Sequence, residues 1–489
     1  HQLIQLLLPR DLMKGFRDDS EVSTNSTTTD EDVFPLPLSP FERYMVLDDT
    51  DAYPMSFVLI VRLKGNLQQE VFEESVVFAL RRHPLLMSTI RKVGGQGWCW
   101  TPVDNPSPQM TWVENEEGLQ PPDQERIDLT REIGLRIWVN KNSDVAELVF
   151  QFHHACTDGL GGVQFIGDML ADYGQKTAEE GAELPEIEPI QIDRLKARSH
   201  FGSDVCEKPS KKVSCPLMLS QKLFKLLRRQ PVPLAASRNT NSIGTFLTFP
   251  AIVSRVIDRP VVQQMKVVAA RKGVELNDLY LMEMFQTIRE WNRRHGKGND
   301  SQWLRIGMPT SLRTPLHDQM PAANVVSYMF LTRLASDCTN PDETLADIHR
   351  RTSTIVNERQ GRFIAIGLKY VLKVPGLLWC LLRLNRCFTS VILTNVGDIR
   401  RQFTARFPLK QGRCVAGNVT LDVLTGAVPV RPNTRLSTSV GTYAGNLYIN
   451  MHCDPLSFTR EQSEELADLF VERLKQMIPA DIAAERRAA

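Results

Sequence analysis

An α/β fold of two lobes is predicted by three features of the 489-residue chain. Length comes first, because a single hydrophobic core stops growing beyond about 250–300 residues and longer chains divide. The second feature is an alternation of strand-like and helix-like stretches over residues 34–174, resuming over 243–480. The third is the interruption between them: 179–188 is acidic, 208–229 is basic, and the alternation stops. The chain therefore reads as a leader (1–33), an N-terminal lobe (34–174), a linker (175–242) and a C-terminal lobe (243–480).

Composition narrows the function. A net charge of +1 supplies no field for nucleic acid, and no zinc-finger or helix-turn-helix pattern argues otherwise. The nine cysteines show no C-x-x-C spacing and no disulfide framework, which suits a reducing cytoplasm. Residues 18–32 are almost all Ser, Thr, Asp, Glu and Asn, too polar to order themselves. The apolar run at 3–8 lacks the basic flank and cleavage site of a signal peptide, and the stretch 374–382 is too short to span a bilayer. In the linker, 208–229 carries an apolar ridge of Leu217, Leu219, Leu223, Leu226 and Leu227. A solvated linker helix is the ordinary reading; peripheral contact with anionic lipid or an acidic partner is the alternative.

In chain order, Ser39, Pro40 and Glu42 read as a capping box opening a helix over 41–47. A strand at 57–63 and a helix at 67–82 follow, the helix stopped by His83-Pro84; strands are expected at 85–90 and 97–101. The strand at 135–139 pairs across a turn at 140–144 with the strand at 146–152. In the second lobe, strands are expected at 251–257, 324–330, 391–397, 435–442 and 446–451. Helices are expected at 261–272, 340–356, 361–384 and 459–477, and another runs to 294 with Asn277 or Asp278 as its N-cap. Leu279, Met282, Phe285, Ile288 and Trp291 form the buried stripe of that helix.

The chain is organised around His153-His154-Ala155-Cys156-Thr157-Asp158-Gly159. The strand before it places Leu148, Phe150 and Phe152 on one face; Gly159, Gly161 and Gly162 relieve the backbone before a helix resumes at Val163. A lone histidine beside a strand is usually a packed core residue. The full His-His-x-x-x-Asp-Gly pattern arises by chance in a chain this long only on the order of 10⁻³. A histidine at a strand's carboxyl end is placed as a general base should be, and the aspartate can hold the turn by pairing with a distant arginine. Cys156 reads as a small loop filler rather than a nucleophile. Zinc on His153, His154 and Asp158 is disfavoured, because adjacent strand residues point in opposite directions and no H-E-x-x-H follows.

This motif resembles the signature of the acyltransferase superfamily that includes chloramphenicol acetyltransferase, carnitine acyltransferases, plant BAHD acyltransferases, wax-ester synthases and condensation domains. Weaker resemblances fall in order: Asn277-Asp278, Gly307-Met308-Pro309 through Arg313, Asn324 to Ser327, Thr394-Asn395-Val396-Gly397, and 441–447. They cover 36 to about 480. Thr394 replaces the more usual serine, and the Asn-Val-Pro-Gly-Pro and Asp-Phe-Gly-Trp-Gly signatures of two branches are absent.

The resemblance implies a chloramphenicol-acetyltransferase-like fold with an active-site tunnel between the lobes. The donor would be acyl-CoA or a phosphopantetheinyl thioester, possible partners being a small alcohol or amine acceptor and an acyl carrier protein. It implies His154 as general base with His153 supporting it, Gly159 in the loop, and Asp158 structural and paired with Arg313. Asp158 as an orienter of His154 is the alternative. Ser437 and Ser439, in a stretch like the Ser-Thr-Ser of carnitine acyltransferases, and Asn324 and Asn395 are candidates for the oxyanion or acceptor side. No bound cofactor or metal is expected, and the enzyme is expected to be a monomer. The competing readings are a stand-alone condensation-type enzyme using carrier-bound thioesters and a silent scaffold of the same fold.

Overall fold

The computed structural model describes residues 33–114, 125–200, 228–236, 252–357, 362–384 and 386–479. The leader through residue 32 and all but the last two residues of the basic 208–229 stretch lie outside these. The N-terminal half supplies β1 (Leu36–Pro37), α1 (Pro40–Asp48), β2 (Ser56–Lys64), α2 (Gln69–Arg82), β3 (Ser88–Val93) and β4 (Gly97–Pro102). It continues with β5 (Gln109–Val113), β6 (Leu135–Lys141), β7 (Val145–His153) and α3 (Gly159–Thr177). The second half supplies β8 (Ile252–Ile257), α4 (Arg259–Lys272), α5 (Leu276–Arg294), β9 (Trp303–Ser311), β10 (Val326–Leu334) and α6 (Pro341–Asn357). Then come α7 (Arg362–Val371), α8 (Leu377–Leu382), β11 (Val391–Asp398), β12 (Leu409–Lys410), β13 (Arg413–Ala416) and β14 (Val419–Ala427). The last elements are β15 (Leu436–Tyr443), β16 (Asn446–Cys453) and α9 (Arg460–Gln476).

Three sheets result. A seven-stranded sheet has the order β12-β13-β14-β2-β7-β6-β5, a six-stranded sheet the order β10-β9-β11-β15-β16-β8, and β1-β4-β3 form a small third. The strand carrying the histidines is interior. β7 pairs antiparallel with β2, from Ser56↔His153 to Lys64↔Val145, and with β6 on its other side, from Leu135↔Phe152. Leu148, Phe150 and Phe152 project from one face into the first core and are fully buried. A second core gathers around α5, α9 and the six-stranded sheet, and includes the expected stripe Leu279, Met282, Phe285, Ile288 and Trp291.

The capping box of α1 forms: Ser39 N–H donates to Glu42 Oε2 at 2.6 Å, and Glu42 N–H donates to Ser39 Oγ at 3.3 Å. Elsewhere the structure departs from the sequence reading. The glycines after Asp158 lie inside the first turns of α3, with Asp158 itself as N-cap. They serve close packing: a Cβ on Gly161 would lie 2.1 Å from Thr157 Oγ1 and 3.2 Å from the Ala323 nitrogen. The N-cap of α5 is Glu275, and Asp278 is its N3 residue, accepting from the Glu275 N–H at 3.1 Å. The expected helix over 361–384 is broken between α7 and α8, where Gly376 sits at φ 74 after Pro375 and a right-handed helix cannot continue. The strand expected at 85–90 begins only at Ser88, after a turn.

The segment 409–427, unassigned from sequence, is the largest omission. β14 pairs with β2 along Thr420↔Lys64 to Ala427↔Val58, so a strand from the second half of the chain completes the N-terminal sheet.

Candidate active site

His153 ends β7 and His154 opens the turn, so the two rings diverge. The His153 ring is fully engaged. Its Nδ1 accepts the Ala155 N–H at 3.1 Å, and its Nε2 lies 3.5 Å from Asp49 Oδ2. His154 is anchored through its backbone, its N–H donating to Met55 O at 2.7 Å. Its ring packs edge-on against Phe57, 5.0 Å between centroids, and lines a cavity. Asn324, two residues before β10, lies behind it: Nδ2 donates to the His154 carbonyl at 2.6 Å and lies 3.2 Å from Nδ1.

Asp158 is saturated with donors. Arg313 grips it with two bonds, 2.7 Å to Oδ2 and 2.9 Å to Oδ1, and the N–H groups of Gly161 and Val325 donate at 2.9 Å each. Burial pushes this carboxyl up, but Arg313 and the amide donors outweigh it and hold it below the usual aspartate value. Arg313 also donates to the Ala323 carbonyl at 3.1 Å, so one ion pair ties the motif helix to the segment before β10. Gly159 lies in the cavity wall between Asp158 and Leu160.

The cavity is lined from both large sheets: β2 and β14 on one side, β9, β10, β11, β15 and β16 on the other. Its walls are mainly apolar, with Phe57, Leu59, Val163, Ile392, Val396 and Leu424 among them. Ser439 and Asn395 face it, while Ser437 and Asn324 are absent from its lining. Ser437 Oγ donates to Pro429 O at 2.7 Å, and Ser439 Oγ donates to Gly426 O, so both hydroxyl hydrogens are committed to carbonyls of β14 and the segment just after it. Asn395 Nδ2 donates to Asn277 Oδ1 at 3.1 Å and its Oδ1 accepts the Gly397 N–H at 2.9 Å, holding the irregular end of β11.

No family model matches the chain. Over 384 residues, 74% of this chain and 83% of the relative, it is 21% identical to an uncharacterised protein of Mycobacterium tuberculosis. Over 150 residues it is 21% identical to a phthiocerol/phthiodiolone dimycocerosyl transferase of Mycobacterium leprae, covering 29% of this chain and 35% of that one. Among solved structures, the first condensation domain of the CDA synthetase superposes with a TM-score of 0.64 at 12% identity, covering 91% of this chain and 95% of that one. A mutant starter condensation domain of rhizomide synthetase, solved with C8-CoA and Leu-SNAC, gives 0.63 at 14%, with 90% and 94% covered. The fold is that of a condensation domain.

Within that fold the electrostatics separate the motif's side chains. Burial lowers the His154 pKa from 6.5, opposed by the carbonyls of His154 and Thr157 and by the Asp158 charge, so the imidazole is neutral at pH 7. Burial raises the Cys156 thiol well above its ordinary value, which removes the thiolate a nucleophile needs. Among the described residues, no group of three or more His, Cys, Asp and Glu converges as a metal set, and no helix is long and apolar enough to cross a membrane. Thr394, Thr425 and Asn450 also line the cavity. Sequence reasoning noted Thr394 only as a departure from serine and missed the other two, because strand register brings them in and no local pattern marks it.

Proposed function

We propose that the protein transfers an acyl group from a thioester to a hydroxyl or amine, with His154 as general base and no covalent intermediate. The observation that carries this reading is a buried, neutral imidazole facing an apolar cavity from a turn pinned by the Asp158–Arg313 pair. In the tautomer that carries its hydrogen on Nδ1, Nε2 presents a lone pair. It takes the proton of the acceptor O–H or N–H as that atom attacks the thioester carbonyl. When the tetrahedral intermediate collapses, the C–S bond breaks and the imidazolium returns the proton to the departing thiolate. His153, with both nitrogens occupied, serves as a brace for the turn.

Coenzyme A is the donor this reading favours, supported by a neighbour of the same fold solved with C8-CoA. The likeness to condensation domains supports a second reading, in which the same chemistry draws its thioester from a carrier protein. Thiol release from a panel of acyl-CoAs, with wild type beside His154→Ala, separates the cases. Release by wild type with a chain-length preference, reduced about 10²–10⁴-fold in the variant, is expected. Release by both alike would remove His154 from the chemistry. No release from any acyl-CoA would turn the reading to carrier-protein thioesters.

A further inference from the structure

Four polar residues stand in one cross-strand row of the six-stranded sheet. Ser254 on β8 pairs in register with Asn450 on β16, Asn450 with Ser439 on β15, and Ser439 with Thr394 on β11. Directly opposed residues share a face, so the row runs from the surface at Ser254 into the cavity, which Asn450, Ser439 and Thr394 line. Its hydrogens are ordered. Ser254 Oγ donates to Asn450 Oδ1 at 2.7 Å; Asn450 Nδ2 donates to Ser439 Oγ at 3.4 Å and to Thr425 Oγ1; Ser439 Oγ donates to Gly426 O.

Thr394 breaks the sequence of satisfied groups. Its Oγ1 is buried and has no hydrogen-bond partner, between Ile392 and Val396 on the same face of the strand. An unmet buried hydroxyl destabilises a fold by about 1–3 kcal/mol, and Thr394, which lines the cavity, is placed for a bound ligand to relieve that cost. Ser439 has spent its hydrogen and retains an acceptor lone pair, whereas Thr394 retains an O–H. One donor beside one acceptor is a poor oxyanion hole, which needs donors only, but it complements a hydroxyl.

We propose that Thr394 and Ser439 form a hydroxyl-recognition subsite, in which a substrate hydroxyl accepts from Thr394 and donates to Ser439. The inference rests on the acyl-transfer reading and specifies its substrate class: one partner carries a hydroxyl apart from the reacting atoms. That hydroxyl has two sources, the acyl chain of the donor or a second position on the acceptor.

The test compares straight-chain acyl-CoAs with their 3-hydroxy counterparts, and 1-alkanols with matching 1,2- and 1,3-diols, reading KM and kcat separately. A KM at least about tenfold lower for the hydroxylated member of one series is expected, and the series that responds identifies the source. Thr394→Val should abolish the preference and melt no lower than wild type, since it removes an unmet polar group without changing shape. Thr394→Ser should keep the preference. Plain thioesters turned over with no hydroxyl preference in either series, or a preference that survives Thr394→Val, would overturn this inference alone. If neither an acyl-CoA nor a carrier-protein thioester is turned over or raises the melting temperature, the acyl-transfer reading fails and the subsite falls with it.

Discussion

At the scale of single residues, the motif divides between chemistry and support. Asp158 is almost wholly buried, and its partner Arg313 is 25% exposed along its side chain. Breaking a buried pair by removing one charge leaves the other uncompensated, at about 3–5 kcal/mol. With Arg313 partly solvated, Asp158→Asn should destabilise by about 3 kcal/mol, read by urea denaturation, and reduce thiol release through a displaced His154. Arg313→Lys keeps the charge but loses the fork, so an intermediate loss is expected. Wild-type stability in either variant would contradict a supporting role.

The histidines also set a pH dependence. His154, His317 and His452 are each lowered from 6.5, chiefly by burial. A histidine whose folded pKa is depressed binds fewer protons folded than unfolded, so its neutral burial is fully tolerated above 6.5. Stability is then lost as pH falls from 6.5 through the depressed folded values. Thiol release should likewise hold its plateau below pH 6.5 and fall only as His154 becomes protonated. An acid limb centred above 6.5 would assign the base to another group.

At the scale of elements, Gly161 decides how the motif helix docks. Alanine is favoured over glycine within a helix by about 1 kcal/mol, which alone would make Gly161→Ala stabilising. The contacts at 2.1 Å and 3.2 Å oppose this, and forcing a methyl into a packed site costs about 1–3 kcal/mol. The clash wins. Gly161→Ala should lower the melting temperature and move Thr157 and the segment before β10, with thiol release falling at least about tenfold. Unchanged release would mean that the approach of α3 to Ala323 is incidental.

Elements whose patterns are local were legible in the sequence. The α1 capping box, the β6–β7 hairpin and the α5 stripe follow from caps and alternation, whereas Arg313 as the partner of Asp158 rests on the family resemblance, since motif spacing alone asks only for a distant arginine. The helix break at Pro375-Gly376 was readable and passed over, because the apolar run on either side suggested continuity. β14 was missed for a different reason. Asp422 interrupts its apolar alternation, and that carboxylate is met by Lys64 at 2.9 Å, Arg413 at 3.1 Å and Arg62 at 4.0 Å, charges from other strands. The polar row is illegible in the same way, since 394, 439, 450 and 254 meet only through register.

At the scale of the whole molecule, the crossing of β14 couples the two cores. Tyr443, fully buried on β15 of the six-stranded sheet, donates from its hydroxyl to Leu421 O at 2.9 Å and accepts the Cys414 N–H at 3.0 Å. Leu421 packs in the first core and faces Leu63 on β2. A chain with two cores could melt in two steps, but the bonds between Tyr443, Ser439 and Asn450 of the six-stranded sheet and Leu421, Cys414, Gly426 and Thr425 mean that neither sheet can open without breaking hydrogen bonds to the other. Tyr443→Phe leaves the buried Cys414 N–H without its acceptor, at about 1–3 kcal/mol, and Leu421→Ala opens a cavity at about 2–5 kcal/mol. Hydrogen exchange should show β2, β14, β15 and β16 slowing or opening together, and each variant should accelerate exchange in both sheets. Acceleration confined to β13, β14 and β2 would show instead that the two sheets open independently. The cavity lined by His154 would then be bounded by two independently opening units, and Tyr443 would be a local hydrogen bond rather than the joint between them.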